Sequence, residues 1–265
     1  MKRYSPTLLC LLAIVFAAGL AHAQPAEREV LVQVSTIDAL LDGVFDGETT
    51  YAQLCRYGDF GIGTFNGLDG EMIAFDGAVW RVRADGKAYR VDAAAAYTPF
   101  AAVTYFDTDI TVPVAAGTDF AGLAKLIDGL VPSSNYFYAI RLDGVFTYMK
   151  TRSVPAQQKP YPPLVEVTKH QPEFEFHDVA GTVVGFRCPP FAKGVNVTGD
   201  HLHFLNIARS GGGHILAFTV KEAVLSIDLT SRYLLLLPEP GGAFATSDLS
   251  KDRQDELHQA ETNRQ

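Results

Sequence analysis

"GTFNGLDGEMIAFDGAVWRVRADGKAYRV", residues 63–91, carries three Asp-Gly pairs, at Asp69, Asp76 and Asp85. Between them lie short runs of Ile, Phe, Val, Trp and Tyr, which suit a pleated, half-buried surface. Asp-Gly supplies the positive φ that a tight hairpin turn needs, so the stretch predicts an antiparallel meander. Upstream, "STIDALLDG" (35–43) and "TTYAQLCRYG" (49–58) open on Ser/Thr caps and close on Gly, the marks of short helices. Downstream, "TDFAGLAKLIDGLVP" (118–132) spaces Phe120, Leu123, Ile127 and Leu130 as one helix face, with Thr118 or Asp119 as cap and Pro132 as stop. "YFYAIRLDGVFTYMKTRSV" (136–154) reads as two strands turning at Asp143-Gly144, and the proline-rich "VPAQQKPYPPL" (154–164) as an ordered loop or inter-lobe linker. Further strand-like runs and a charged helical tail follow. Strands dominate and helices are few and short, which predicts an α+β fold with mostly antiparallel sheets.

Residues 1–23 read as an export signal: Lys2 and Arg3, an apolar run too short to span a bilayer, then the small-x-small pattern Ala21-His22-Ala23. Cleavage after Ala23 leaves 24–265 as the mature chain, expected to be secreted or periplasmic. Losing Lys2 and Arg3 moves the formal net charge from −8 to about −10. With no Lys/Arg cluster longer than two, the chain lacks the basic footprint that nucleic acid requires. No later apolar stretch reaches the length of a membrane helix, so no membrane association is expected after cleavage. Cys55 and Cys188 remain, too few for a disulfide framework, and the sequence leaves open whether they meet.

The chemistry concentrates in "GDHLHFLNIARSGGGHILAF" (199–218), which holds His201, His203 and His214, three of the seven histidines. In a strand, positions i and i+2 share a face, so His201 and His203 aim at one spot while Leu202 and Phe204 pack behind. His214 follows eleven residues after His203, enough to return on a neighbouring strand. Pairing His203 with His214 centres a plain hairpin near Ala208 and Arg209, so the glycines at 211–213 are expected to form a bulge beside His214. Three neutral imidazoles with an open fourth position suit a catalytic zinc ion, and an N-rich, thiol-free set favours Zn2+. A His-x-His pair on a strand is also a common surface feature; the third histidine and the glycines tip the balance. His170, His177 and His258 lack ligand spacing.

"GDHLHFLNIARSGGGHIL", "GTFNGLDGEM" (63–72) and "KTRSVPAQQKPYPPL" (150–164) resemble, in order, motifs of the alpha-acetolactate decarboxylases, and the likeness runs from about Ser35 to the tail. The resemblance implies conversion of the small molecule 2-acetolactate to acetoin and carbon dioxide, and a zinc bound by His201, His203 and His214. It implies that Arg152 of "TRSVP" lies in the active site with Glu71 of "GLDGE" and Thr64 beside it. A glutamate of the C-terminal tail is expected to fold back toward the metal; Glu261 is the best match, with Glu256 as fallback. The resemblance also sharpens the fold to two closely packed lobes on antiparallel or mixed sheets, about 30–154 and 164–265, with zinc near their junction. Relatives are often homodimers, though nothing in this sequence shows an interface. One departure is Asp200, where relatives usually carry an aromatic residue; it is expected to face water.

Acetolactate carries a ketone, a tertiary hydroxyl and a carboxylate on adjacent carbons. Zinc chelated by the hydroxyl and ketone oxygens suits the charge left by departing carbon dioxide. Arg152 suits the carboxylate, and Glu71 or Glu261, with a raised pKa, suits delivery of the proton to carbon. Two other readings accommodate three histidines: an exported zinc hydrolase or carbonic-anhydrase-like lyase, and a non-catalytic metal-binding protein. Neither gives Arg152 and Glu71 an evident task.

Overall fold

The computed structural model describes residues 28–262, so the expected export signal lies outside the described residues. In chain order the strands are β1 (Val30–Val34), β2 (Thr49–Thr50), β3 (Phe60–Thr64), β4 (Glu71–Phe75), β5 (Ala78–Val82), β6 (Ala88–Arg90), β7 (Tyr97–Thr98), β8 (Ala101–Thr104), β9 (Ile110–Val114), β10 (Phe137–Arg152), β11 (Glu173–Cys188), β12 (Gly199–Asn206), β13 (Gly212–Thr230) and β14 (Arg232–Leu236). The α-helices are α1 (Ile37–Leu41), α2 (Tyr51–Leu54), α3 (Phe120–Leu130), α4 (Leu164–Thr168), α5 (Ala243–Thr246) and α6 (Gln254–Thr262). This is the expected α+β fold with mostly antiparallel sheets and short helices.

The Asp-Gly stretch forms the expected meander, with β3, β4, β5 and β6 neighbours in a seven-stranded sheet ordered β14-β1-β8-β3-β4-β5-β6. Asp76 and Gly77 join β4 to β5 with φ of 51° and 72°, the doubly positive turn that matches strand twist. The helix signals hold as well. Thr36 caps α1, Thr50 and Gln53 form a reciprocal capping box at α2, and Asp119 accepts from Gly122 N at α3.

The second sheet, β10-β11-β12-β13-β9, closes on itself because β10 pairs with both β11 and β13. Here the expected turn at Asp143-Gly144 is absent: Phe137–Arg152 is one continuous strand. Asp143 is held by Arg141 at 2.6 Å and by Thr182 at 2.7 Å, so its side chain has no need of a turn. Gly144 serves close approach instead, since a Cβ there would lie 2.3 Å from the Glu222 carbonyl oxygen on β13. Nor do the sheets divide the chain at the proline-rich segment. Strands β9 and β10 precede that segment yet belong to the second sheet, and β14 follows it yet pairs in parallel with β1.

The sheets pack against each other through Leu31, Phe60, Ile62, Ile73 and Phe75 on one side and Val184, Phe186 and Leu205 on the other. A separate apolar cluster of Ile37, Leu40, Leu164, Val167, Leu257 and Ala260 gathers α1, α4 and α6 at one end of this seam. Residues 154–164 form an ordered loop there, tied down by Gln157 N donating to the Gly67 carbonyl at 2.6 Å. Cys55 and Cys188 are free thiols.

Candidate active site

Strand register assembles the site. His203 on β12 pairs directly with His214 on β13, and His214 pairs with Arg152 on β10. Directly opposed residues of an antiparallel pair share a face, so the three side chains form one transverse row, with His201 two positions along. From the other sheet, the cross-strand pair Thr64 and Glu71 faces this row. Glu261 enters from α6. A single cavity is lined by all seven sequence-predicted residues, Thr64, Glu71, Arg152, His201, His203, His214 and Glu261. Its remaining wall is apolar and includes Leu40, Leu68, Phe100 and Leu164.

The expected bulge does not fall on the glycines: the hairpin turns over 207–210, and Gly212 and Gly213 pair in regular register with Leu205 and Phe204. The extra residue is Leu216, where the ladder between β10 and β13 passes from Lys150–Ala217 to Thr151–Ile215. Close approach and positive φ are what the glycine beside His214 supplies. Gly213 has φ of 131°, and a Cβ there would lie 2.3 Å from the Arg152 carbonyl oxygen. Substitution meets both a backbone penalty and a backbone clash at the strand that carries Arg152. Gly213→Ala is therefore expected to destabilise the protein by about 3 kcal/mol, read from denaturant unfolding, whereas Gly117→Ala on an open turn costs less.

The histidine rings lie with centroids 5.0–5.4 Å apart, and one ligand nitrogen from each falls within 4.8 Å of the others. Their environment fits a cation. Burial holds all three below the ordinary imidazole range, His201 at about 3, with Arg152 contributing, so they are neutral donors at physiological pH. The Nδ1 of His203 bonds the Met72 carbonyl at 2.9 Å, which leaves Nε2 turned inward, buried and without a hydrogen-bond partner. Nδ1 of His214 is likewise buried without a partner. An orphaned buried nitrogen is costly, and a metal ion would satisfy Nε2 of His203.

The acidic side is equally built. Arg152, 4% exposed, reaches Glu71 at 3.2 Å and Glu261 at 3.8 Å, and donates to the Ala260 carbonyl at 3.1 Å. Glu71 Oε2 lies 3.6 Å from His203 Nε2, and Glu261 Oε2 lies 3.5 Å from His214 and 3.7 Å from His201. Burial pushes Glu71 up to about 7, against the pull of Arg152, and raises Glu261 for the same reason. Thr64 donates its hydroxyl hydrogen to the Gly70 carbonyl at 2.9 Å, so toward the cavity it can only accept.

Two expectations need revision or sorting. Asp200 does not face water: its side chain is 6% exposed and takes a two-pronged bond from Arg187, both contacts at 2.7 Å. The two residues are direct cross-strand partners, and a carboxylate buried at that depth requires its cation. Of the tail glutamates, Glu261 reaches the cavity, while Glu256 binds Arg253 instead. Sequence reasoning missed the Met72 carbonyl, which carries no side-chain signal, and the apolar wall, whose residues look like ordinary core.

Three neutral imidazoles, a buried guanidinium and two protonatable carboxyls around one small cavity define an enzyme acting on a small, polar molecule. The alpha-acetolactate decarboxylase family model matches residues 31–251. An alpha-acetolactate decarboxylase of Methylococcus capsulatus is 49% identical over 91% of this chain and 92% of its own length, and one of Methanosarcina mazei is 47% identical over 88% and 80%. The crystal structure of the alpha-acetolactate decarboxylase of Bacillus subtilis superposes with a TM-score of 0.86 at 41% identity, covering 88% of this chain and all of that one. The chain belongs to the alpha-acetolactate decarboxylase family and is a carboxy-lyase, which sets aside the hydrolase and non-catalytic metal-binding readings.

Proposed function

We propose that this enzyme converts 2-acetolactate to acetoin and carbon dioxide with zinc held by His201, His203 and His214. The observation that carries the reading is the meeting, in one cavity, of three neutral imidazoles with a buried arginine and two glutamates whose pKa burial raises. When bound, zinc supplies Lewis-acid stabilisation of the negative charge that decarboxylation leaves on the hydroxyketone.

The remaining tasks fall to the chain's own groups. Arg152 offers a planar, permanently charged fork to the substrate carboxylate and orients it for departure. In the free enzyme that fork is shared with Glu71 and Glu261, and its charge lowers the pKa of both. A substrate carboxylate neutralises the guanidinium, so both glutamates move further toward the protonated form as substrate enters. The carbon that loses carbon dioxide then needs one proton on one face. Glu71 approaches from β4 and Glu261 from α6, and the enantiomer of acetoin formed reports which face receives the proton. The apolar wall keeps bulk water from delivering that proton instead.

The test is acetoin formation, with its enantiomeric composition, by the purified protein and its Glu71→Gln and Glu261→Gln variants. Loss of the donor is expected to lower turnover by roughly 10²- to 10⁴-fold, with the other variant less affected. No acetoin from the parent protein, or two variants indistinguishable from it, would overturn the reading.

A further inference from the structure

The tail that brings Glu261 to the cavity leaves the sheets well before its helix. Between Leu236 and Gln254 the chain joins neither sheet and runs mostly exposed past Gly241, Gly242 and α5. Helix α6 has nine residues, too few to persist alone in water, so its docking decides whether it forms in place. Leu257 and Ala260 are the buried side chains among its described residues.

Docking is completed by Arg253, immediately ahead of the helix and 6% exposed. Its Nη2 bonds Asp42 at the end of α1, and its Nη1 bonds Glu256 at 2.9 Å. Asp38, one turn earlier on α1 and also buried, feels the same cation. Two carboxylates, Asp42 just past α1 and Glu256 on α6, therefore share one guanidinium. Without it, Asp42 and Glu256 would stand near each other as like charges. The neighbouring Lys193–Asp252 pair, 2.8 Å long, is exposed on both sides and holds little. At the far end of the helix, Arg152 donates to the Ala260 carbonyl, one residue before Glu261.

We infer that Arg253 is a positioning residue for the reaction: by clasping Asp42 it anchors the start of α6 to the end of α1 and so sets Glu261 within reach of His201, His214 and Arg152. Eight residues, about two helical turns, carry the constraint from the clasp to the carboxylate. The inference rests on the working role given to Glu261 under the proposed function.

The test combines hydrogen exchange with kinetics. In both Arg253→Met and Asp42→Asn, backbone amides of 254–262 should exchange faster while those of β10–β13 keep their protection. Arg253→Met should lower kcat roughly tenfold or more with a smaller change in KM. Placed in a Glu261→Gln background, the same substitution should change kcat by a factor near one, because the two act on one group. Unchanged exchange in the tail, or the same kcat loss in the Glu261→Gln background, overturns the inference. A Glu261→Gln single variant with normal kcat overturns the role of Glu261 itself, a failure visible without touching Arg253.

Discussion

Arg152→Met is expected to leave zinc binding intact and to lower acetoin formation on the order of 10³-fold. Arginine here is neither a surface charge nor a structural brace alone. It is 4% exposed, and the cavity that holds the histidines is lined by it. Methionine fills similar volume but offers no donors, so the substrate carboxylate would enter a low-dielectric site with no cation to meet it. Removing one member of a buried ion pair ordinarily costs about 3–5 kcal/mol through the stranded partner. Here the partners can escape that penalty. Glu71 already sits at about 7 and can take up a proton when the guanidinium goes, and Glu261, raised by the same burial, loses the charge that holds it down. Catalysis should therefore suffer far more than folding, a split read by measuring zinc content, thermal midpoint and kcat/KM together. Arg152→Lys should recover only part of the activity, because an ammonium cannot form the two-pronged bond. Retention of more than about a tenth of the activity in Arg152→Met would remove the carboxylate clamp from the account.

His203→Ala should abolish zinc retention and bring acetoin formation to background. Its ring is 1% exposed and fixed by the Met72 carbonyl, which sets the tautomer and aims Nε2 inward. Without it, two imidazoles remain, one fewer than catalytic zinc sites of this kind provide. The fold also loses the bond to Met72, a net contribution of about 1 kcal/mol. The check is zinc bound after gel filtration, compared with His170→Ala, an exposed histidine outside the cavity that should behave as wild type.

Much of this was legible in the sequence where structure is local. Asp76-Gly77 needs positive φ at both positions and obtains it in a two-residue hairpin. His201 and His203 share a face because strands alternate, whatever surrounds them. Asp143-Gly144 shows the limit: the same dipeptide lies inside a continuous strand, because Arg141 and Thr182 satisfy the aspartate and β13 packs on the glycine. Asp200 shows another, since its partner Arg187 lies thirteen residues away and meets it only through the register of β11 with β12. The gathering of Glu71, Arg152 and Glu261 depends on three elements distant in sequence. Only the family resemblance, not periodicity, could bring them together beforehand.

The most direct measurement strips the purified enzyme of metal with a chelator and titrates zinc back while following acetoin from 2-acetolactate. The stripped protein is expected to form no acetoin, and recovery to rise linearly and end at one zinc per chain. Full acetoin formation by metal-free protein, or zinc rebinding at that stoichiometry with no recovery, would contradict the role given to zinc.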